Sequence, residues 1–522
     1  MSPSISLPIH PQRRSDTPMA AYQINPDRST KPTRIKKICC IGAGYVGGPT
    51  SAVIASKNPN IQVTVVDYNI ERIEAWKTDD LPIYEPGLLD VVQAARDGDS
   101  TKRTPNLFFS TDVDRCIAEA ELILLSVNTP TKSLGRGAGH ASELSYLESA
   151  VRKIGEVAET NKIIVEKSTV PCRAADTLRD VLAATAKPGL HFEILSNPEF
   201  LAEGTAIPNL LNPDRILIGS LKTPRGLEAA QALAAVYGAW VDPDRIITIN
   251  LYSSELAKLA ANALLAQRIS SVNALSAMCE SVGADIDEVS YAIGLDKRIG
   301  SRMLKASVGF GGSCFRKDIL SLAYIAESLH LFEVADYWRS IVDINEYQKD
   351  RFTRRIVRCL YNSLSGKTLA VFGFAYKKNT GDTRETAAIT VIDNVLTEGA
   401  NVRIYDPLVK ESQIRQELNS TTVRLNCAEK QLTVCESAYE ACTGADAIII
   451  LTEWDEFSNR DEPMRRDSGH GRKTDERAER KLDWTRVAEL MRRPMFVFDG
   501  RNIVDAAALE ELGFRIECIG KA

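Results

Sequence analysis

Cys314 stands in the stretch VGFGGSCFRKD, behind glycines at 309, 311 and 312 and ahead of FRKDILSLAYIAESL. That second stretch is amphipathic and predicts a helix. The glycines break regular structure and leave room for a ligand near the backbone, and a thiolate is stabilised at a helix N-terminus. Asp318 follows four residues later, on the same face of the expected helix, where it would orient water or share a proton. Oxidation of a simple alcohol needs only a base. A cysteine becomes necessary when an aldehyde must be carried on to an acid: the thiolate adds to the carbonyl, the thiohemiacetal gives up a hydride, and the thioester is hydrolysed. The competing reading is one more buried thiol among eleven, as for Cys40, Cys116 and Cys279, which lie in apolar strands or helices.

Two further pairs share the four-residue spacing. Lys258 and Asn262 fall in ELAKLAANALL, where the neighbours are mostly apolar. Such a lysine is either a snorkelling edge residue or a held charge beside a developing oxyanion. Glu199 and Glu203 fall in SNPEFLAEGTA after the strand-like FEILS. They are acid/base or ligand groups, or the polar start of a helix.

A hydride acceptor is provided for. Gly42-Ala43-Gly44-Tyr45-Val46-Gly47 follows the apolar IKKICCI and opens GPTSAVIASK, a helical stretch, and Asp67 closes the next strand, IQVTVVD. This strand, G-x-G-x-x-G loop, helix and acid are what the dinucleotide fold requires. Gly42 permits the tight turn, Gly44 lets backbone approach a pyrophosphate, and Gly47 lets helix and strand pack closely, with the helix N-terminus facing the negative charge. Asp67 would bind the adenosine ribose and repel a 2′-phosphate. That favours NAD over NADP, a preference that Arg72 nearby would soften.

The elements that must position these groups alternate between strand and helix. ELILLSVNTP and KIIVEKSTVP continue the pattern of a parallel sheet with helices on both faces. From Ser253 to Glu280 runs an unbroken stretch of helix formers without Gly or Pro, read as a spine joining two α/β halves and burying a subunit contact. KTLAVFGFAYK, ANVRIYDP, DAIIILTEW and PMFVFDGRN supply four strands of a second half, which should carry its own ligand at their carboxyl ends. The expected fold is therefore α/β, with two Rossmann-like doubly wound parallel sheets joined by a long central helix. Its divisions are a disordered tail over 1–33, an NAD-binding domain over 34–250, a central helical domain over 251–365 and a C-terminal domain over 366–522. The charged run near 459–481 reads as a flexible insertion, and the glycine-rich Leu134 to Leu144 as a mobile element near the cofactor.

The 522 residues carry a net charge of −5, which leaves no excess of base for nonspecific nucleic-acid binding. No apolar run is long enough to span a bilayer. The odd cysteine count, without a CxxC pair, favours reduced thiols in a cytoplasmic setting over disulfides or structural zinc. Five histidines, none closely paired, give metal catalysis little support. Arg13 and Arg14 beside Ser and Thr would suit a transit peptide, but the neighbouring prolines and acidic residues argue against one.

Several stretches in order resemble the UDP-glucose/GDP-mannose dehydrogenase family, and within it the motifs of UDP-glucose 6-dehydrogenases: IKKICCIGAGYVGGPT, EKSTVP, SNPEFLAEGTAI, NPDRILIG, SSELAKLAANALLAQRIS, GFGGSCFRKD, GFAYKKNTGDTRE and FDGRN. The resemblance runs from Ile35 to the C-terminus. It implies oxidation of C6 of UDP-glucose to UDP-glucuronate with two NAD⁺ in succession. By that resemblance Cys314 would form the thiohemiacetal and thioester, Lys258 with Asn262 would stabilise oxyanions, and Asp318 would assist proton transfer. Thr169 and Glu199 would hold a water. NAD would be held by Gly42, Ala43, Gly44, Tyr45, Val46, Gly47, Asp67 and Arg72, by Val127, Asn128, Thr129, Pro130 and Thr131, by Ser168, Thr169 and Val170, and by Glu203 and Arg384. The nucleotide sugar would meet Glu199, Phe200, Leu201, Ala202 and Glu203, Lys258 and Asn262, Lys305, Phe310, Gly311, Tyr376, Lys377 and Arg501. Arg298 would reach a neighbouring subunit's site, which implies a homo-oligomer, at least a dimer, in a family that extends to hexamers. Dehydrogenases of GDP-mannose or UDP-N-acetylmannosamine share this chemistry. A non-catalytic regulator should have lost Cys314, Lys258 or Asp318, and a flavin enzyme would leave the cysteine and lysine without a task.

Overall fold

The computed structural model describes residues 34–98, 103–421, 431–460 and 481–521. The expected tail over 1–33 and nearly all of the charged insertion lie outside the described residues. Among the described residues, fourteen strands form two sheets. The first contains β1 (Lys37–Ile41), β2 (Gln62–Val66), β3 (Leu107–Ser110), β4 (Leu122–Leu125), β5 (Lys162–Glu166), β6 (Phe192–Ser196), β7 (Ile216–Ser220) and β8 (Ile246–Asn250), in the order β3-β2-β1-β4-β5-β6-β7-β8. The second contains β9 (Thr368–Phe372), β10 (Asn401–Tyr405), β11 (Leu432–Val434), β12 (Ala447–Ile450), β13 (Met495–Asp499) and β14 (Phe514–Cys518), in the order β11-β10-β9-β12-β13-β14. Both are doubly wound, as expected from sequence. One pairing departs from the parallel pattern: β7 meets β6 antiparallel, through Ser196 and Gly219.

Burial on both faces explains the continuous apolar runs. In β1, Ile38 and Cys40 enter one core while Cys39 and Ile41 enter the core on the opposite face. The second sheet has six strands where the sequence reading found four. The additions, β11 and β14, are edge strands, one only three residues long and the other the polar-interrupted FRIEC.

The spine helix spans Leu251–Val282 and bridges the two sheets. Its first turns pack on the first sheet, where Ser254 Oγ lies 2.9 Å from Ser196 Oγ. Further along, Val272 and Cys279 join the core of the second unit. Midway, Ala263 and Ala266 pack with Ile319 and Leu320 of the helix Phe315–Ser328 and with Ile341 and Val342 of the helix Phe332–Cys359.

The two units repeat one device at their first glycine. Gly42 N donates to Val66 O and Gly373 N to Tyr405 O, each at 2.8 Å. Both glycines have positive φ, +108° and +91°, and a Cβ on either would lie within 2.4 Å of Ser126 O or 2.3 Å of Thr452 Cβ respectively. The acids differ in use. Asp67 accepts from Ala43 N (3.0 Å) and Asn69 N (2.9 Å). Asp406 is fully occupied by four backbone N–H groups, of Phe374, Ala375, Leu408 and Val409, and by the Trp454 indole. Gly373→Ala is therefore expected to destabilise the second unit by roughly 1–3 kcal/mol, read as a lower melting temperature. An unchanged melting curve would show that the turn and Thr452 adjust freely.

Candidate active site

Cys314 is the N-cap of the helix Phe315–Ser328, is exposed, and accepts from Asp318 N at its carbonyl (2.9 Å). The glycines before it serve a different end from the one expected of them: protein fills the space beside them. A Cβ on Gly309 (φ +129°) would lie 2.9 Å from Asn345 Oδ1, and one on Gly311 2.5 Å from Glu385 O. The Gly312 position is closed by the Tyr376 ring. Asn345, from the helix Phe332–Cys359, brackets Phe310 by accepting from its N–H (2.8 Å) and donating to its carbonyl (3.1 Å). Val308 N donates to Gly500 O (2.7 Å) and Gly312 N to Arg384 O (2.9 Å). The cysteine loop is thus clamped between a long helix and the second sheet's loops.

Beside it, Asn262 Nδ2 donates to Asp318 Oδ2 at 2.6 Å. Asp318 is 1% exposed and Lys258 only 7%, so Lys258 is a buried charge, and the snorkelling reading fails for it. Burial pushes the Asp318 carboxyl up, opposed first by Lys317 at 3.8 Å and then by Lys258, and pushes the Lys258 ammonium down, opposed by Asp318. Lys258 Nζ stands 5.1 Å from the centre of the Phe200 ring, whose environment also includes the Arg215 guanidinium at 4.0 Å. Lys258, Lys377 and Arg384 all lie within electrostatic reach of Cys314.

A lysine that sequence reasoning passed over organises the carboxylate wall. Lys167, at the end of β5, is fully buried and donates to Glu199 Oε2 (2.8 Å), Asn197 Oδ1 (3.2 Å) and the Tyr237 hydroxyl (3.3 Å). Burial alone would lower its pKa, but the Glu199 carboxylate and Tyr237 hold it above the ordinary lysine range. The signal was available in EKSTVP, where a lysine interrupts a buried strand end. Lys317 was missed as well. Its Nζ donates to Thr129 O (3.1 Å) and Oγ1 (3.3 Å), and Thr129 Oγ1 donates to Thr169 O (2.8 Å). Ser168 Oγ donates to Val127 O (2.7 Å), and Val170 is buried beneath. The loop Val127–Thr131, with exposed Asn128 and Pro130, is thereby tied to the cysteine's helix. The glycine-rich Leu134–Leu144 stretch is fastened alongside, through Lys132 N to Ala141 O (2.8 Å) and Glu143 N to Pro130 O (2.7 Å).

The glycine loop Gly42–Gly47 opens the helix Gly47–Lys57. A Cβ on Gly44 would meet nothing within 4 Å, whereas one on Gly47 would lie 2.0 Å from Gly42 O. Open space above Gly44 and contact at Gly47 are the arrangement a bound pyrophosphate needs. Trp76 Nε1 supports the loop through Ala43 O (3.0 Å). Tyr45 bonds to Glu85, and Arg72 lies 3.5 Å from Asp67 Oδ2.

Across the cleft, Glu203 accepts from Thr380 Oγ1 (3.3 Å) and pairs with Arg384 (3.4 Å), which also grips Asp382 (2.7 Å). Burial and the neighbouring Asp382 push Glu203 up to about 7. Tyr376 and Lys377 line the same space, the phenol raised and the ammonium lowered by burial. Leu201 and Ala202 complete the turn before Gly204. Arg501 is engaged by protein: it donates to Leu451 O (2.7 Å) and Tyr376 O (2.8 Å) and lies 3.3 Å from Glu453. Lys305 is exposed on the loop leading to Phe310. Arg298 stands apart, its side chain 90% exposed and paired with Asp296. Among the described residues no cluster of His, Cys, Asp or Glu would hold a metal ion, and no helix is long and apolar enough to cross a membrane.

A glycine-looped doubly wound unit facing a second one, with thiol, lysine and carboxylates in the cleft between them, is the frame of a dinucleotide-dependent oxidoreductase. The comparisons agree. Residues 36–241 match the NAD binding domain of the UDP-glucose/GDP-mannose dehydrogenase family, residues 252–347 its central domain, and residues 370–468 its UDP binding domain. The chain is 53% identical to a UDP-glucose 6-dehydrogenase of Drosophila melanogaster, covering 93% of this chain and 96% of that one. It is 51% identical to the one of Rattus norvegicus, covering 93% and 94%. Among solved structures, a UDP-glucose dehydrogenase of Pyrobaculum islandicum superposes with a TM-score of 0.75 at 27% identity, over 94% of this chain and 98% of that one. The chain belongs to the UDP-glucose/GDP-mannose dehydrogenase family.

Glu203 yields a pH prediction. Below about 7 it takes up a proton, which removes its pairing with Arg384 and one negative charge from the cleft. Above that pH both return and oppose an anionic diphosphate. NAD⁺ affinity should therefore weaken by about fivefold as pH rises through 7, and Glu203→Gln should flatten the dependence. Titration calorimetry at pH 6 and 8 checks this; an equal slope in the variant would assign the effect to another group.

Proposed function

We propose that the protein oxidises C6 of UDP-glucose to the carboxylate, with two NAD⁺ per sugar, to give UDP-glucuronate. The observation that carries this is the convergence of Lys258, Asn262 and Asp318 with Cys314 in one cleft. The 53% identity to a UDP-glucose 6-dehydrogenase over 93% of the chain supports the choice of sugar. NAD supplies the hydride acceptor; the chain's own groups do the rest. The first oxidation turns the C6 alcohol into an aldehyde. Cys314 Sγ then bonds to the carbonyl carbon, and the oxyanion formed is stabilised by the Lys258 ammonium and the Asn262 amide. Loss of the second hydride leaves a thioester on Cys314. Water held by Thr169 and Glu199 attacks it, cleaving the C–S bond and returning the thiolate, with Asp318 assisting proton transfer.

Glu199 is suited to this because Lys167 fixes one of its oxygens, while the other accepts from Phe200 N (3.0 Å). On the cofactor side the reading assigns Gly42–Gly47, Asp67, Arg72, the Val127–Thr131 loop, Ser168–Val170, Glu203 and Arg384. On the sugar-nucleotide side it assigns Phe200–Glu203, Lys305, Phe310, Gly311, Tyr376 and Lys377. For Arg501 the contacts favour a supporting role: it shapes the Tyr376 backbone while its charge offsets the diphosphate. The setting is cytoplasmic.

NADH formed per UDP-glucose, at limiting sugar and excess NAD⁺, tests the reaction. Two NADH are expected from the wild type, with Cys314→Ser lowering turnover by at least about 10³-fold. One NADH per sugar would end the reaction at the aldehyde. None from UDP-glucose but two from another nucleotide sugar would keep the chemistry and change the substrate.

The assembly is proposed to be a homo-oligomer, at least a dimer, built on the spine. Met278 and Val282 on the spine, Tyr291 on the helix Ile286–Gly294 and Leu295 at its C-cap are exposed large apolar side chains, of the kind that gathers at interfaces. The exposed Arg298 lies just beyond it. Sedimentation should give a dimer or larger, and Met278→Asp should shift it towards monomer. A wild-type monomer at micromolar concentration would overturn the assembly.

A further inference from the structure

Glu85 lies in PIYEPGLL, outside the motifs that carry the family resemblance, and is only 5% exposed. Its carboxylate takes three neutral donors from two separate loops. The Tyr45 hydroxyl, inside the glycine loop, donates to Oε2; Gly204 N donates to the same Oε2 at 2.8 Å; Ala206 N donates to Oε1. The backbone of Glu85 is fixed as well, since its carbonyl accepts from Leu88 N (3.1 Å) where the helix Leu88–Arg96 begins. Burial and the carboxylate keep the Tyr45 phenol protonated, so it remains a donor.

On the functional reading given above, the first of these loops borders the cofactor, and the second borders the nucleotide sugar as well. Tyr45 belongs to the cofactor loop. Gly204 ends the Glu199–Glu203 turn and has φ +78°; a Cβ there would lie 2.8 Å from Asn379 O, in the second unit. The turn that Glu85 holds is therefore also the seat of the loop bearing Tyr376, Lys377 and Arg384. Lys377 faces Glu85 electrostatically from that side. A buried carboxylate depends on hydrogen bonds to offset its lost hydration. Displacement of one donor to Oε2 disturbs the other, because they share the oxygen.

On the reading given above of a cleft that binds NAD and UDP-glucose, we propose that Glu85 is a positioning residue. It couples the dinucleotide loop to the Glu199–Glu203 turn, so that cofactor and nucleotide sugar each raise the affinity for the other. The coupling is reciprocal by thermodynamic necessity.

NADH and UDP-glucose cannot react with each other, so binding is measurable on the full-length protein without turnover. NADH fluorescence is titrated with and without saturating UDP-glucose. In the wild type the sugar should tighten NADH binding by about fivefold or more. In Tyr45→Phe, which removes one hydroxyl, and in Glu85→Gln, that ratio should fall to about one, with the double variant no different from either single variant. The Tyr45→Phe variant keeps the test decisive if Glu85→Gln fails to fold. A fivefold ratio preserved in Tyr45→Phe, even with weaker NADH binding overall, would overturn the proposal, because a purely structural role moves both affinities and leaves their ratio alone. A wild type that binds both ligands independently would overturn the coupling while leaving the functional reading intact. A wild type that binds neither would overturn the functional reading itself, and the coupling with it.

Discussion

Two opposite charges held away from water, Lys258 and Asp318, set the constraint on which the rest depends. Each is almost fully buried, and each is destabilised as an ion by that burial, as the opposed pKa shifts record. Such charges survive only where their geometry is held and opposite charges stand near; Asp318 has Lys317 at 3.8 Å from Oδ1 besides the field of Lys258. Asn262 donates to its other oxygen, Oδ2, at 2.6 Å. The holding falls to the small-residue packing of Ala263 and Ala266 against Ile319 and Leu320, which fixes the spine against the helix that Cys314 opens. The cysteine is thus placed by the same contact that buries the charges.

From that contact the requirement spreads outward. The cysteine's loop must bend sharply and leave no side chains in the way. That explains glycines where Asn345, Glu385 and Tyr376 crowd in. Asn345 comes from the helix Phe332–Cys359, whose other residues Phe352 and Ile356 lie in the core of the second sheet. The two sheets are therefore joined to the site by both long helices, and their loops face each other through Glu203, Thr380 and Arg384.

Partly buried carboxylates recur as fasteners, with different partners according to task. Asp406 is saturated by backbone N–H groups and one indole, which makes it structural. Glu199 is held by a lysine yet keeps one oxygen turned to its own backbone. Glu203 shares an arginine with a second carboxylate and takes a proton near neutrality. The same functional group is locked, oriented or left titratable by what stands around it.

Much of this was legible in the chain alone. Strand–helix alternation and the glycine fingerprint followed by Asp67 implied a doubly wound sheet with a dinucleotide loop, because those signals are local: periodicity, turn residues and an acid at a strand end. The spine was legible for the same reason, as an unbroken run of helix formers, and the cysteine from its glycines and the helix after it. The helix Phe332–Cys359 went unread because its charged face dilutes the apolar pattern, and β11 and β14 because edge strands need little apolar sequence. What only the tertiary structure decided is the state of each charge. Lys258 reads as an edge lysine until the helix Phe315–Ser328 covers it. Lys167 and Glu85 gain their roles from Glu199, Tyr45 and Gly204, which lie 32, 40 and 119 residues away in sequence. Desolvation and long-range hydrogen bonding are properties of the assembled fold. Sequence spacing sets which side chains share a helix face, while the packing of distant segments sets which of them lose their water.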